Sequence, residues 1–207
     1  SQDLGLKKLT EFSKKLNIYE NPKELYSISL GSAETTLLKL TAAYCSFVNG
    51  GKLIEPIYID RIQDSEGHTI FNSEKRVCDR CEAISYLGNN YPEIKDNFVQ
   101  IFSEETAYQL TSMLEGAVQR GTGRGLKDLN LNLAGKTGTT NKNTDAWFIG
   151  FTSNIVVGVY VGFDEPKSLG KYETGAKAAL PIFKKFIKSV VKKKDANPFK
   201  VPKNINL

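Results

Sequence analysis

No stretch of about 18 consecutive apolar residues occurs in this sequence, so it holds no candidate transmembrane helix. Its first residues, Ser1-Gln2-Asp3-Leu4-Gly5, lack both the basic region and the apolar core of a secretory leader. Any anchor or leader of the parent protein is therefore expected upstream of Ser1. Histidine is almost missing, with His68 alone, and there are 3 cysteines. A structural zinc site takes four nitrogen or sulfur ligands. Cys78-x-x-Cys81 has only His68 and Cys45 to complete such a set, and it lacks the strand–turn–helix context of a redox motif. A local disulfide and a pair of free thiols both remain open for it. Cys45 lies within an apolar helical pattern and reads as a small core residue.

Disorder is excluded by what is present: 40% hydrophobic and 25% charged residues over 207 positions, enough for a real core. Lys and Arg number 28 against 23 Asp and Glu, a net charge of +5. Much of the excess gathers at Lys184, Lys185, Lys188, Lys192, Lys193, Lys194, Lys200 and Lys203. This pattern reads as a solvated helix face followed by a basic tail over residues 195–207. No aromatic residues interleave with these lysines as a base-stacking surface requires, so no nucleic-acid partner is expected.

Along the chain, Asp3 can cap a helix carrying Leu6, Leu9, Phe12 and Leu16, and Asn21-Pro22 ends that pattern. A second helix is predicted from Thr35 or Thr36. It carries Leu37, Leu40, Tyr44, Phe47 and Val48 and stops at Asn49-Gly50-Gly51. Ile57 to Ile62 and Thr69 to Phe71 flank a polar Asp64-Ser65-Glu66-Gly67 turn, which predicts a hairpin. Residues 57–101 read as a small inserted β-rich lobe. Ser103 then caps a helix with Glu104 and Glu105 in its first turn and Ala107, Leu110, Leu114, Ala117 and Val118 on its buried side. A glycine-rich segment follows, Arg120-Gly121-Thr122-Gly123-Arg124-Gly125. Three strands are predicted next: one through Ala134–Thr140, and two continuous apolar runs, residues 146–151 and 155–163, joined tightly enough to be antiparallel. Continuity of the runs predicts cover on both faces. A last helix carries Leu180, Phe183, Phe186, Ile187, Val190 and Val191, with Pro181 in its first turns. The fold class is α+β, helices packed on a short antiparallel sheet.

Gly135-Lys136-Thr137 fails as a phosphate loop. A Walker A motif needs glycine where Asn130 stands and a helix where a strand pattern follows. A strand ending in Lys136-Thr137-Gly138-Thr139 can instead line one wall of a cleft with an ammonium, hydroxyls and a backbone N–H. Gly138 lets a ligand approach the strand closely. Such groups bind a carboxylate by charge-assisted hydrogen bonds and can stabilise the oxyanion of acyl transfer.

That strand has company. The order Gly31-Ser32-Ala33-Glu34-Thr35-Thr36, Gln119-Arg120-Gly121-Thr122-Gly123, Ala134-Gly135-Lys136-Thr137-Gly138-Thr139-Thr140-Asn141, residues 145–151 and residues 158–164 closely resembles the bifunctional, class A penicillin-binding proteins of the 1a type. The match lies in the C-terminal part of their transpeptidase domain and spans nearly the whole chain. Residues 72–101 and the tail match least.

The resemblance implies an incomplete penicillin-binding, β-lactamase-like transpeptidase fold. It also implies a serine acyl transfer in which D-Ala-D-Ala stem peptides lose D-alanine to an acceptor amine. Penicillin acylates the same serine. Lys136 would assist proton movement and complement the substrate carboxylate, and Thr137 and Thr139 would contact that carboxylate. The Thr139 N–H would form half of an oxyanion hole, Gly138 and Thr140 would line the wall, and Thr122 would border the cleft. No cofactor and no metal are called for. The parent would sit at the extracytoplasmic face of the bacterial inner membrane, with stem peptides and β-lactams as ligands.

Of the three motifs that family needs, Ser-x-x-Lys, Ser-x-Asn and Lys-Thr-Gly, only the third is in place. No Ser-x-Asn occurs in the sequence. Ser168-x-x-Lys171 and Ser189-x-x-Lys192 both follow Lys136, one in a loop and one in a packed helix, so both read as chance matches. The chain is therefore expected to lack its nucleophile and to be inactive alone. An unpaired sheet edge is expected to favour self-association. The competing expectation is a non-catalytic envelope module that binds through the inserted lobe.

Overall fold

In the computed structural model, residues 3–74, 76–79, 81, 93–192 and 197–205 are described. They fall into two units, one of Ser1–Ile54 with Gln100–Leu207 and the other of Glu55–Val99. The helices are α1 (Leu6–Lys15), α2 (Leu37–Val48), α3 (Glu104–Gln119) and α4 (Leu180–Val190). The strands are β1 (Arg61–Gln63), β2 (Thr69–Asn72), β3 (Val77–Asp79), β4 (Glu93–Lys95), β5 (Ala134–Thr139), β6 (Asp145–Phe151) and β7 (Val156–Gly162). Fold and class are those expected: helices on a short antiparallel sheet.

Capping chemistry sets two helix starts as read. Thr36 Oγ1 accepts the Lys39 N–H at 3.1 Å, and Ser103 Oγ accepts the Thr106 N–H at 3.2 Å. Gly50 and Gly51, at φ 80° and 89°, turn the chain after α2 in a region open to glycine. The first helix differs: Gly5, not Asp3, occupies its cap position, and no side chain caps it.

The larger unit is organised by the sheet β5-β6-β7, antiparallel throughout. Its register pairs Lys136 with Ile149 and Gly138 with Trp147, then Trp147 with Tyr160 and Phe148 with Val159. Residues directly opposite one another share a face. One face carries Phe148, Gly150 and Val159 and receives α4: a Cβ at Gly150 would come within 2.7 Å of Phe183 Cζ. Phe148 and Phe183 meet edge to face, centroids 4.8 Å apart, in a core with Val118, Leu126, Leu133, Leu180 and Ile187. Each such side chain contributes about 1.5–3 kcal/mol when fully buried. The other face carries Ile149, Phe151 and Gly158 and receives α2, where a Cβ at Gly158 would meet Thr41 Oγ1 at 2.1 Å.

Cover is less complete than the apolar runs predict. Tyr160 on β7 is 39% exposed. On α4, Phe186 and Val190 are exposed rather than packed, while Leu180, Phe183 and Ile187 fill the core. Pro181 sits in the first turn of α4. A single π-turn, Gly175–Ala179, leads into that helix.

The basic C-terminus is also more than a solvated face. Lys184 Nζ lies 2.7 Å from Asp128 Oδ1 and donates to Gly125 O at 2.7 Å, tying α4 to the 3-10 helix Arg124–Leu129. Phe199 packs edge to face on buried Phe151 at 5.6 Å, and Pro202 is buried. Lys193 and Lys194 lie outside the described residues.

In the smaller unit, β1 pairs with β2 and β3 with β4. The hairpin strands are shorter than the sequence suggests, since β1 begins only at Arg61, with Asp60 O accepting the Ser73 N–H at 2.8 Å just before it. Asp64 Oδ1 accepts the N–H groups of Glu66 and His68 across the turn, at 2.9 and 2.8 Å. The His68 N–H is the chief cause holding the Asp64 carboxyl below the ordinary carboxylate range. Cys78 and Cys81 form a disulfide, one of the two alternatives the sequence leaves open. Cys45 is half-buried, and burial pushes its thiol pKa up, which makes it a poor nucleophile. Among the described residues, no three His, Cys, Asp or Glu side chains converge as a metal-holding group.

Candidate active site

β5 is an edge strand, and its last turn of sequence carries the Lys-Thr-Gly motif. Which backbone groups face outward follows from one bond. Thr140 donates its N–H to Asp145 O on the neighbouring strand at 3.2 Å. Successive peptide N–H groups alternate sides of a strand. The Thr139 N–H therefore points away from β6, to the free edge, together with the N–H and C=O of Thr137.

Side chains reach this edge from both faces. Lys136 leaves the sheet on the face of its partner Ile149 and is exposed. Its ammonium donates to Thr137 O at 3.1 Å and approaches Thr137 Oγ1 at 3.5 Å. Thr137 and Thr139 leave on the opposite face, that of Phe148 and Ala146. The glycine-rich segment after α3 brings Thr122 alongside, with Thr122 Oγ1 and Thr137 Oγ1 2.7 Å apart. The result is a row of hydrogen-bond donors at one strand edge: an ammonium, two paired hydroxyls and a backbone N–H. An acceptor-rich anion is the natural complement of such a row.

Of the six site residues read from the sequence, Lys136, Thr137, Gly138, Thr139 and Thr122 come together here. Thr140 is placed differently. Its Oγ1 accepts the N–H groups of both Thr144 and Asp145 at 3.0 Å, so its hydroxyl closes the β5–β6 turn. Two neighbours escaped sequence reading, Tyr160 and Gly175. Tyr160 packs against Trp147 with the rings tilted by 54° and centroids 4.8 Å apart, and donates its hydroxyl to Asp145 Oδ1 at 2.8 Å. That bond is the first cause of a raised Tyr160 pKa. Gly175 donates its N–H to Thr139 Oγ1 at 3.0 Å. Nothing in sequence spacing ties residue 175 to residue 139, so only the fold reveals that contact.

Neither late Ser-x-x-Lys is set up as a nucleophile. Ser168 lies exposed in a loop and its Oγ accepts the Gly170 N–H. Ser189, on α4, donates its hydroxyl back to Phe186 O at 2.7 Å. A cavity of about 340 Å³ lies elsewhere, between Tyr108, Asn154 and Phe199, and none of the strand residues lines it.

Comparison with known proteins agrees with this architecture. The family model for the penicillin binding protein transpeptidase domain matches residues 1–188. The chain is 45% identical over 206 residues to penicillin-binding protein 1A of Rickettsia prowazekii, covering 99% of this chain and 26% of that protein. It is 36% identical over 188 residues to the protein of that name in Neisseria gonorrhoeae, covering 89% and 22%. The crystal structure of penicillin-binding protein 1A from Haemophilus influenzae superposes with a TM-score of 0.79 at 31% identity, covering 98% of this chain and 33% of that one. The chain thus spans about a quarter of the length of the curated relatives it matches. With its antiparallel sheet, its donor-lined Lys-Thr-Gly edge and these likenesses, the chain belongs to the penicillin-binding protein transpeptidase family.

Proposed function

We propose that this chain is the substrate-binding part of a peptidoglycan D,D-transpeptidase domain. It grips the terminal carboxylate of a D-Ala-D-Ala stem peptide and supplies half of an oxyanion hole. The observation that carries the reading is the outward-facing Thr139 N–H, flanked on one strand edge by Lys136 and by the Thr122–Thr137 hydroxyl pair. The ammonium complements the carboxylate charge, the Thr122–Thr137 pair donates its one free hydrogen to it and the Thr139 hydroxyl donates another, and Gly138 leaves the strand open to close approach. An N–H aimed at the reacting carbonyl stabilises the charge that develops on its oxygen.

In the acyl transfer itself, a serine attacks that carbonyl, D-alanine departs, and an amine takes the acyl group. β-Lactams compete for the same edge. Among the described residues, neither serine of a Ser-x-x-Lys fills the serine's role: Ser168 is held in a loop and Ser189 on α4. Removal of one member of a catalytic unit abolishes most of its activity. This chain alone therefore neither cross-links peptidoglycan nor holds a stable penicillin adduct. The parent protein works at the extracytoplasmic face of the inner membrane, and no nucleic acid takes part. Among the described residues no strand pairs with the outer edge of β7, which has neither proline nor charge to block pairing, and this supports self-association of the isolated chain.

Titration of the chain with N-acetyl-D-Ala-D-Ala, followed by amide chemical shifts, tests the site. Saturable shifts at Thr137 and Thr139 that vanish in Lys136→Ala are expected. Binding unchanged by that substitution would overturn the reading in favour of a contact in the lobe of residues 57–101.

A further inference from the structure

Thr139 ends β5, and its hydroxyl is not free to turn. Its Oγ1 accepts the Gly175 N–H at 3.0 Å. Gly175 is buried and lies directly over the paired Gly138 and Trp147: a Cβ there would stand 2.3 Å from Trp147 O and 2.5 Å from Gly138 O. Only glycine brings a backbone N–H this close to the strand. The approach to Gly175 is bent to deliver it. Gly170 has φ 127° and Tyr172 has φ 72°, an uncommon conformation for a bulky residue, and Thr174 donates its N–H to Tyr172 O at 2.9 Å.

A hydroxyl carries one hydrogen and two lone pairs. With one lone pair held by a fixed amide, the Thr139 hydroxyl is set in direction and keeps its hydrogen and one lone pair, and the bond from Gly175 polarises that hydrogen, which favours donation to a ligand. The neighbours work in the same sense. An ammonium has only hydrogens to give, so Lys136 makes Thr137 an acceptor and leaves the Thr137–Thr122 pair donating outward. We propose that Gly175 is a positioning residue for this site: its N–H fixes Thr139 Oγ1 as an acceptor, so that Thr139 donates to the ligand. The edge then favours a carboxylate, whose two charged oxygens accept from these donors, over a carboxamide, which has one neutral oxygen to accept with and turns an NH₂ toward the Lys136 ammonium. This inference rests on the site reading above and adds the source of its selectivity.

The test uses the ¹⁵N-labelled chain in three forms: unchanged, Thr139→Val and Thr139→Ser. In the absence of ligand, Gly175 amide exchange should quicken on the order of tenfold in Thr139→Val and stay slow in Thr139→Ser, because serine keeps the acceptor. Titration with N-acetyl-D-Ala-D-Ala and with its C-terminal carboxamide should show a preference for the acid on the order of tenfold, reduced in Thr139→Val and retained in Thr139→Ser. Equal exchange of the Gly175 amide in all three forms would overturn the positioning role. Binding of the acid with the same preference in Thr139→Val would overturn the selectivity while leaving the site reading intact. No binding of either peptide would overturn both.

Discussion

The hydroxyl oxygens of Thr122 and Thr137 lie 2.7 Å apart, joining a glycine-rich segment to the Lys-Thr-Gly strand. Because the two share one hydrogen bond, they should act as a unit. Thr122→Val is expected to weaken binding of N-acetyl-D-Ala-D-Ala about threefold to tenfold, the net worth of one hydrogen bond. The double substitution with Thr137→Val should cost less than the sum of the two singles. Dissociation constants from titration calorimetry on the four forms settle this, and strict additivity would mean that the hydroxyls bind independently.

Gly150 lies beneath Phe183, with no room for a Cβ between Phe148 and that ring. Gly150→Ala should overpack the core and destabilise the chain by about 1–3 kcal/mol. Urea unfolding followed by circular dichroism measures the loss, and an unchanged midpoint would mean that α4 is not seated on the sheet as described.

The Lys184 ammonium beside Asp128 holds the Asp128 carboxyl below the usual aspartate range. A carboxyl depressed on folding stabilises the fold above its unfolded pKa of about 4, and the contribution fades as pH falls through the folded value. Asp128→Asn should therefore lower stability at pH 7 and flatten its decline below about pH 4. Asp128 is well exposed and Lys184 half-exposed, so solvent screens the pair and the effect is small. Thermal melts from pH 2 to pH 7, at low salt, give the comparison; parallel curves for both forms would count against the pair.

Tyr160 donates to Asp145 Oδ1, and that bond is the main reason its phenol resists ionisation. Replacement Asp145→Asn should bring the Tyr160 pKa down toward the ordinary tyrosine value. Ultraviolet titration, with Tyr160→Phe as the subtraction control, reads the shift. A pKa that stays raised in Asp145→Asn would mean that burial, not the carboxylate, sets it.

How much of this was legible beforehand depends on the range of the forces involved. Short-range signals held: Thr36 and Ser103 cap because their hydroxyls reach an N–H three residues on, and residues 146–151 pair because the run is continuously apolar. The donor row could be anticipated in type from Lys136-Thr137-Gly138-Thr139, but its orientation required the Thr140–Asp145 bond to show which N–H faces outward. Long-range contacts left no trace in spacing. Gly175 under Thr139, Lys184 on Asp128 and Phe199 on Phe151 join residues brought together only by the fold. Thr140 also closes the β5–β6 turn through the Thr144 and Asp145 amides, a contact that a threonine after a strand does not announce in sequence. Phe186 and Val190 fit the helical period of α4 yet point out of the core, since apolar periodicity marks a candidate face and packing decides whether anything covers it.

The most direct test of the central claim, that this chain carries the binding strand and no nucleophile, is its intact mass after incubation with excess penicillin. The account predicts no covalent increase, while the amide shifts at Thr137 and Thr139 still report peptide binding. A stoichiometric adduct would contradict it, and peptide mapping of Ser168 and Ser189 would then identify the acylated serine.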